Sequence, residues 1–198
     1  PSRWERWSYL VPLLPYIEQK ATYDQIVDQI DNGPNRAPWD GNAANPWCQT
    51  IAGFTCPSDP ASQQRDSNRG RTSYHCNRGD FWLNWDWYEC RGAFGRGDKI
   101  ETSMATFRDG TSNTLLLAEC PVGANKGDRN NLSGFAKDMG SANNSNLPST
   151  CLAAAGPGGQ FAPGVNPETG DWQVGWRWAD AHACYTQFHP ILPPNSPS

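Results

Sequence analysis

The sequence predicts an α+β chain, mainly antiparallel β-sheet with short helices and long loops, and three observations carry that reading. The 198 residues include 19 Gly and 17 Pro, enough to divide the chain into short elements joined by turns. Residues 22–30 show helical periodicity, with Tyr23, Ile26, Val27 and Ile30 on one face. Two stretches read as strands. Residues 114–118 form a continuous apolar run, which predicts burial on both faces, and 172–178 alternate Trp172, Val174, Trp176 and Trp178. The length suits one ordinary domain with a real core, so 1–198 is read as a single globular unit.

Taken in order, Pro12 and Pro15 break the aromatic N-terminal stretch and leave room only for a short helix over 13–19, with Pro15 in its first turn. Thr22 is positioned to cap the 22–30 helix, and Asn32-Gly33-Pro34 to stop it. Residues 49–55 form a short element leading into Cys56-Pro57. Residues 59–71 hold no apolar side chain except Ala61 and read as a mobile loop. A strand follows at 72–76, then an aromatic-dense segment at 79–87, a turn at 94–97 and another strand from Lys99-Ile100. Beyond the 114–118 strand, which we place at the centre of the sheet with the 22–30 helix nearby, the polar 123–148 stretch predicts a long surface excursion. The proline-rich end, 191–198, predicts extended or polyproline-like chain.

Composition excludes several functions. Net charge is -4, so no basic field holds a phosphate backbone, and nucleic acid is not an expected partner. No apolar run is long enough to span a bilayer. Seven cysteines, at 48, 56, 76, 90, 120, 151 and 184, lack any Cys-x-x-Cys spacing. In a loop-rich chain they predict a disulfide framework in an oxidising compartment, each bridge worth roughly 2–4 kcal/mol. The odd count leaves one without a partner inside the chain or leaves a buried thiol.

No catalytic arrangement stands out, and the chain is not read as an enzyme. His75, His182 and His189 have no His-x-x-x-His spacing, and no Gly-x-Ser-x-Gly elbow exists, so structural or surface roles are expected. Asp86 with Glu89, or Asp180 with Glu119, have the chemistry of a glycosidase pair, but nothing in the sequence sets their separation. Asp109 and Asn113 flank a Gly-Thr-Ser turn that offers oxygens to calcium; local satisfaction of backbone groups by those side chains is the favoured account. No other cofactor is implied. Phe81, Trp82, Trp85, Trp87 and Tyr88 either fill the core of a Leu-poor protein or, if exposed, contact a neighbouring subunit or stack on sugar rings. Arg78-Gly79-Asp80 and Arg96-Gly97-Asp98 repeat the adhesion tripeptide, which turns produce cheaply. Sequons at Asn131 and Asn143 fall in the predicted surface excursion.

Three blocks in order carry a family resemblance: Leu13-Leu14-Pro15-Tyr16-Ile17-Glu18-Gln19, Cys56-Pro57-Ser58-Asp59-Pro60 and Asp109-Gly110-Thr111-Ser112-Asn113-Thr114. Thr72-Ser73-Tyr74, Asn77-Arg78-Gly79-Asp80, Arg91-Gly92-Ala93-Phe94, Trp176-Arg177-Trp178-Ala179-Asp180 and the 192–198 segment extend it over most of the chain. With these the chain resembles the head of a large bacterial family of unknown function, typical of planctomycetes. Its full-length members begin with a type IV pilin-like methylation segment and one hydrophobic helix. The resemblance implies a pilin-like or pseudopilin-like head, with that helix and a final strand outside 1–198, and any membrane contact made through the helix. It further implies an extracellular or cell-surface location and assembly with copies of itself into a filament, pilus-like appendage, tube or surface layer. An extracellular glycan-binding module using exposed Trp is the alternative. In many members a Cys follows the Pro-Asn-Ser-Pro-Ser segment, which implies a partner for the odd cysteine just beyond Ser198. Cys76 and Cys90 are inserted into neighbouring family blocks in a way that implies they pair with each other; Cys48 with Cys56 is a further candidate. Pseudopilins of the general secretion type use calcium, but the resemblance does not carry that site onto Asp109 and Asn113.

Overall fold

The structure is a computed structural model that describes residues 6–33, 37–64, 68–80, 92–94, 102–108, 110–130, 132–137 and 148–192. It is a mixed α+β arrangement with a small sheet and few helices.

Helix α1 spans Lys20–Asn32 and buries Thr22, Ile26 and Ile30. It starts two residues before the sequence suggests. Thr22 is therefore an inward-facing helical residue whose Oγ1 meets Gln19 Oε1 at 3.4 Å, and it does not cap the helix. A 3-10 turn, Leu14–Ile17, precedes it, with Pro15 in its opening positions as expected. Glu18, at φ 62°, reverses the chain so that α1 packs back on this turn. Their contact belongs to a core made by Leu10, Val11, Leu14, Ile26, Ile30, Trp47, Ile51, Phe54 and Trp178. Trp178 is fully buried, and its indole N–H donates to Gln49 O at 2.9 Å. Gly70 lies flat against that indole, so a Cβ there would overlap the ring and the Gln49 carbonyl.

The main sheet has the order β2-β1-β5, from β1 (Tyr74–Asn77), β2 (Leu117–Glu119) and β5 (Gln187–Phe188). β1 and β2 are antiparallel, pairing Tyr74 with Glu119 and Cys76 with Leu117. β1 and β5 are parallel, so the main sheet is mixed rather than antiparallel throughout. β3 (Ala136–Lys137) and β4 (Asn166–Pro167) make a separate antiparallel pair. Two short α-helices, α2 (Pro148–Leu152) and α3 (Ala183–Thr186), and further 3-10 turns complete the described elements. A second core, Ala61, Val122, Trp176, Cys184 and Tyr185, lies apart from the α1 core.

Several expectations are corrected. The 114–118 strand is neither central nor buried: β2 is shifted to 117–119, lies at the sheet edge among the described residues, and leaves Leu115, Leu116 and Leu117 52%, 41% and 44% exposed. Helix α1 packs on 3-10 turns of the first core and supplies no cover for the strand. The 172–178 stretch is not a strand either. Gly175, at φ 69°, twists the chain so that Trp176 enters the second core while Trp178 enters the first. The described parts of the 59–71 segment, 59–64 and 68–71, are anchored: Ala61, Ser62 and Arg71 are buried, Ser62 Oγ donates to Cys56 O at 2.6 Å, and Arg71 Nη1 donates to Ala61 O at 2.9 Å. The expected strand at 99–100 and the aromatic segment 81–88 lie outside the described residues.

Two sets of variants test this packing. Gly70→Ala should destabilise the chain by about 1–3 kcal/mol, the usual range for overpacking, read as a lowered denaturation midpoint at unchanged slope. Leu116→Asp should fold with a cooperative melt, whereas Ile30→Asp, which buries a charge inside the first core, should not; circular dichroism melts of both check the placement of strand and helix.

Candidate assembly edge and buried ionic cluster

The polar interior is organised around Asp180, which has no solvent exposure. Its Oδ1 accepts from Arg6 Nε at 2.7 Å and its Oδ2 from Arg6 Nη2 at 2.8 Å, a two-point contact that joins residues 174 apart. Burial pushes the carboxyl upward, and the Arg6 contact is the main effect opposing it. The backbone strengthens the junction: Ser8 N–H donates to Ala179 O and Ala181 N–H to Arg6 O. Arg6 also stacks over Trp39 at 4.6 Å, and Trp39 remains 43% exposed.

Asp171 forms a second centre. Arg69 Nη2 lies 2.7 Å from its Oδ2 and Lys126 Nζ 2.6 Å from its Oδ1. Partial burial acts to raise this carboxyl, but the contacts with Lys126 and Arg69 outweigh it and hold it below the usual range. Arg177 stands between the two centres, 3.8 Å from Asp171 and 4.0 Å from Asp180, with its guanidinium over Tyr185 at 5.2 Å. Arg69 and Arg71 both lie over Trp176, at 5.0 and 5.1 Å.

His182 and Cys184 are neighbours, with Nδ1 and Sγ 3.1 Å apart. The same Nδ1 caps α3 by accepting from Cys184 N–H. Burial, then Arg6, Arg78 and Arg177, lower the imidazole to about 3, while burial pushes the Cys184 thiol well up. Both shifts favour the neutral forms. The pair therefore does not have the thiolate–imidazolium character that a cysteine nucleophile requires. His75 Nδ1 meets Gln187 O at 3.2 Å and His189 Nδ1 meets Gly79 O at 3.0 Å, and burial lowers each imidazole to about 4. All three histidines serve as packed, neutral, hydrogen-bonded groups.

The remaining sequence candidates fall as follows. Phe81, Trp82, Trp85, Trp87, Tyr88, Asp86, Glu89, Cys90 and Asp109 lie outside the described residues. Asn113 ends a 3-10 turn, Thr111–Asn113, where Thr114 Oγ1 donates to Gly110 O at 3.2 Å. Among the described residues no group of three or more His, Cys, Asp or Glu could hold a metal ion. Asp180 and Glu119 are not a catalytic pair, because Asp180 is sealed by Arg6 and Glu119 is exposed on β2. Arg78 is buried with Nη1 donating to Gln187 Oε1 at 2.8 Å, so the first adhesion tripeptide is not displayed as a ligand.

The described cysteines, Cys48, Cys56, Cys76, Cys120, Cys151 and Cys184, form no disulfide with one another. The Cys48–Cys56 pairing is thus corrected: Cys48 turns its thiol toward Asn68 O, 3.1 Å away. The Cys76–Cys90 pairing involves a residue outside those described. Burial raises the Cys120 thiol to about 11.

Sequence reasoning missed the exposed edge at 115–117. A run of like residues in a strand says only that both faces are alike, and the 114–118 pattern is equally consistent with two open faces. It also missed the 3-10 turn's outer side, where Tyr16 is 84% exposed beside Leu13 and Ile17.

The histidines predict a pH response. Their folded values lie below the ordinary 6.5, so the unfolded chain binds protons first as the medium is acidified. Stability should hold above about pH 6.5 and fall from there toward pH 4, each group withdrawing up to about 1.4 kcal/mol per pH unit until its folded value is reached. Asp180 is raised and so acts with the opposite sign, but it is one group against three. Urea melts at pH 7.5, 6, 5 and 4.5 should show the fall, and His75→Gln should flatten it.

The model SBP_bac_10, described as "Protein of unknown function (DUF1559)", matches residues 1–197. No curated protein and no solved structure matches the chain. Because the family match runs over nearly every residue, including the blocks that meet at Ser8 and Asp180, the chain belongs to the DUF1559 family of unknown function.

Proposed function

We propose that this chain is the extracellular head of a structural subunit that self-assembles into a filament, pilus-like appendage, tube or surface layer. The observation that supports it is the β2 edge. Among the described residues β2 pairs on one side only, with β1. Asn77 N–H donates to Leu116 O and Cys120 N–H to Ser73 O, so alternate residues point their backbone groups at β1, and Leu117 and Glu119 point theirs outward. Three exposed leucines stand beside that open ladder. A strand edge flanked by exposed apolar side chains is a template for pairing with another chain, and natural proteins usually block such edges. A second copy is the partner this reading assigns, with the 81–88 aromatic segment as a further contact.

A glycan-binding module is the second reading. Its supporting observation is Trp39, 43% exposed and steadied by Arg6 over its ring, an arrangement suited to stacking on a sugar. No helix among the described residues is long and apolar enough to cross a membrane, so any anchoring in this proposal belongs to sequence beyond the described residues.

The test uses the Leu115→Ser/Leu117→Lys double variant, which places polarity and a charge at the open edge without touching either core. Native material should form ordered polymers by electron microscopy, and the double variant should fold by circular dichroism yet stay dispersed in sedimentation. A folded double variant that polymerises like the wild type would remove the edge from the mechanism. Dispersed native protein that is retained on a neutral polysaccharide, and released when Trp39 is changed to Ser, would move the function to the glycan reading.

A further inference from the structure

We propose that the Asp171–Arg177 cluster is a binding site for an oxyanion: the sulfate or carboxylate of an acidic polysaccharide, or the same chemistry as a free inorganic ion. The proposal does not depend on self-assembly.

Arg177 carries the argument. Its side chain is 17% exposed, and its two carboxylate neighbours are 3.8 and 4.0 Å away, beyond hydrogen-bond distance. Among the described residues its guanidinium makes no hydrogen bond, and its Nε is buried without a partner. A guanidinium presents five donors in one plane, and here the Nε donor is withdrawn from water without an acceptor, which is costly. Here the plane is held by Tyr185 stacked against it, which leaves the in-plane edge to meet an acceptor. The adjacent carboxylates are already engaged. Asp180 spends both oxygens on Arg6, and Asp171 faces Arg69 and Lys126 at 2.7 and 2.6 Å.

Charge balance agrees. Four cations, Arg6, Arg69, Lys126 and Arg177, face two carboxylates, Asp171 and Asp180, in a chain whose net charge is -4. Positive potential is therefore concentrated locally against the sign of the whole molecule. The effect reaches His182, whose imidazole the nearby arginines help to keep neutral. Access comes from one side, where Lys126 is 49% and Asp171 37% exposed, while Arg69 and Arg177 lie deeper at 16% and 17%. That layout suits a compact oxyanion with two or three oxygens, met first by the exposed Lys126 ammonium and then by the deeper guanidinium. It does not suit a nucleic acid, which needs an extended basic track that an acidic chain of this composition lacks.

The experiment titrates sodium sulfate against the purified chain at constant ionic strength set with sodium chloride, following binding by calorimetry and melting by fluorimetry. Three proteins are compared: wild type, Lys126→Gln, whose exposed side chain is not needed for folding, and Arg177→Gln. Wild type should bind sulfate at one site. Lys126→Gln should bind several-fold more weakly, and Arg177→Gln about tenfold more weakly or not at all, as loss of a charge-assisted contact implies. Sulfate also strengthens folding generally by exclusion from protein surfaces, so only the difference between wild type and variant counts. A second arm applies the same proteins to columns of sulfated and uronate-containing polysaccharide, with a neutral polysaccharide as control. Retention that Lys126→Gln loses identifies the polysaccharide as the source, and sulfate binding without retention identifies the free ion. No sulfate binding by wild type, or equal binding by wild type and Lys126→Gln, overturns the proposal and leaves water as the partner of Arg177. If Arg177→Gln does not fold, Lys126→Gln decides the matter alone.

Discussion

A charge with no access to water has to be satisfied by its surroundings, and Asp180 sets that condition for this fold. Its desolvation is offset by the two-point contact with Arg6, by His182 N–H at 3.1 Å and, at longer range, by Arg177. Removing Arg6 would leave an uncompensated buried carboxylate, the costly way to break such a pair. The contact also fixes topology. It pins the segment around Trp7 and Ser8 to the one that places Trp178 in the first core and opens α3. Thr186 Oγ1 donates to Asp180 O, so the approach to β5 is tied to the same residue. The junction therefore ties together segments that supply residues to both cores, Trp178 to the first and Tyr185 to the second.

The family blocks gain a physical meaning at similar junctions. Asp59, in the Cys-Pro-Ser-Asp-Pro block, accepts from Ala61 N–H with one oxygen and from Val122 N–H with the other, locking a loop to the segment after β2. Ser73 accepts from Cys56 N–H on its side chain and from Cys120 N–H on its backbone. Asn77 donates its side-chain amide to Leu115 O and accepts from Gly79 N–H, while its backbone carbonyl receives Phe94 N–H. These are short polar side chains joining segments far apart in sequence. Such roles are invisible to periodicity, which explains why the blocks identify the family without revealing what their side chains do.

What was legible followed from local rules. The 3.6-residue spacing of Tyr23, Ile26 and Ile30 located α1, and Pro15 located the short turn before it. What failed required knowledge of neighbours. The three leucines look like a buried strand only if a layer covers each face, and here helix α1 packs elsewhere, on the first core. The tryptophans at 172, 176 and 178 alternate in sequence, but the positive φ at Gly175 sends them into different cores. The cationic cluster was hidden for a related reason: Arg6, Arg69, Lys126 and Arg177 share no local pattern, and the net charge of -4 argues against looking for one.

The two proposed surfaces place opposite demands on an acidic chain. Copies carrying -4 repel one another, but at physiological ionic strength that repulsion is screened beyond about 8 Å. In the self-assembly reading the apolar edge acts at close range, where leucine burial and backbone pairing dominate. Only Glu119 adds a charge within β2 itself. If two β2 strands pair antiparallel about Ala118, Leu117 of each copy faces Glu119 of the other, and the two carboxylates sit on opposite sides of the two-fold axis. A parallel pairing would stack the carboxylates directly and is disfavoured. A two-fold contact of this kind closes on itself and gives pairs, so a filament needs a second contact of different surfaces. In the self-assembly reading, the open β2 edge thus supplies one bond of the polymer, and propagation has to come from elsewhere on the chain.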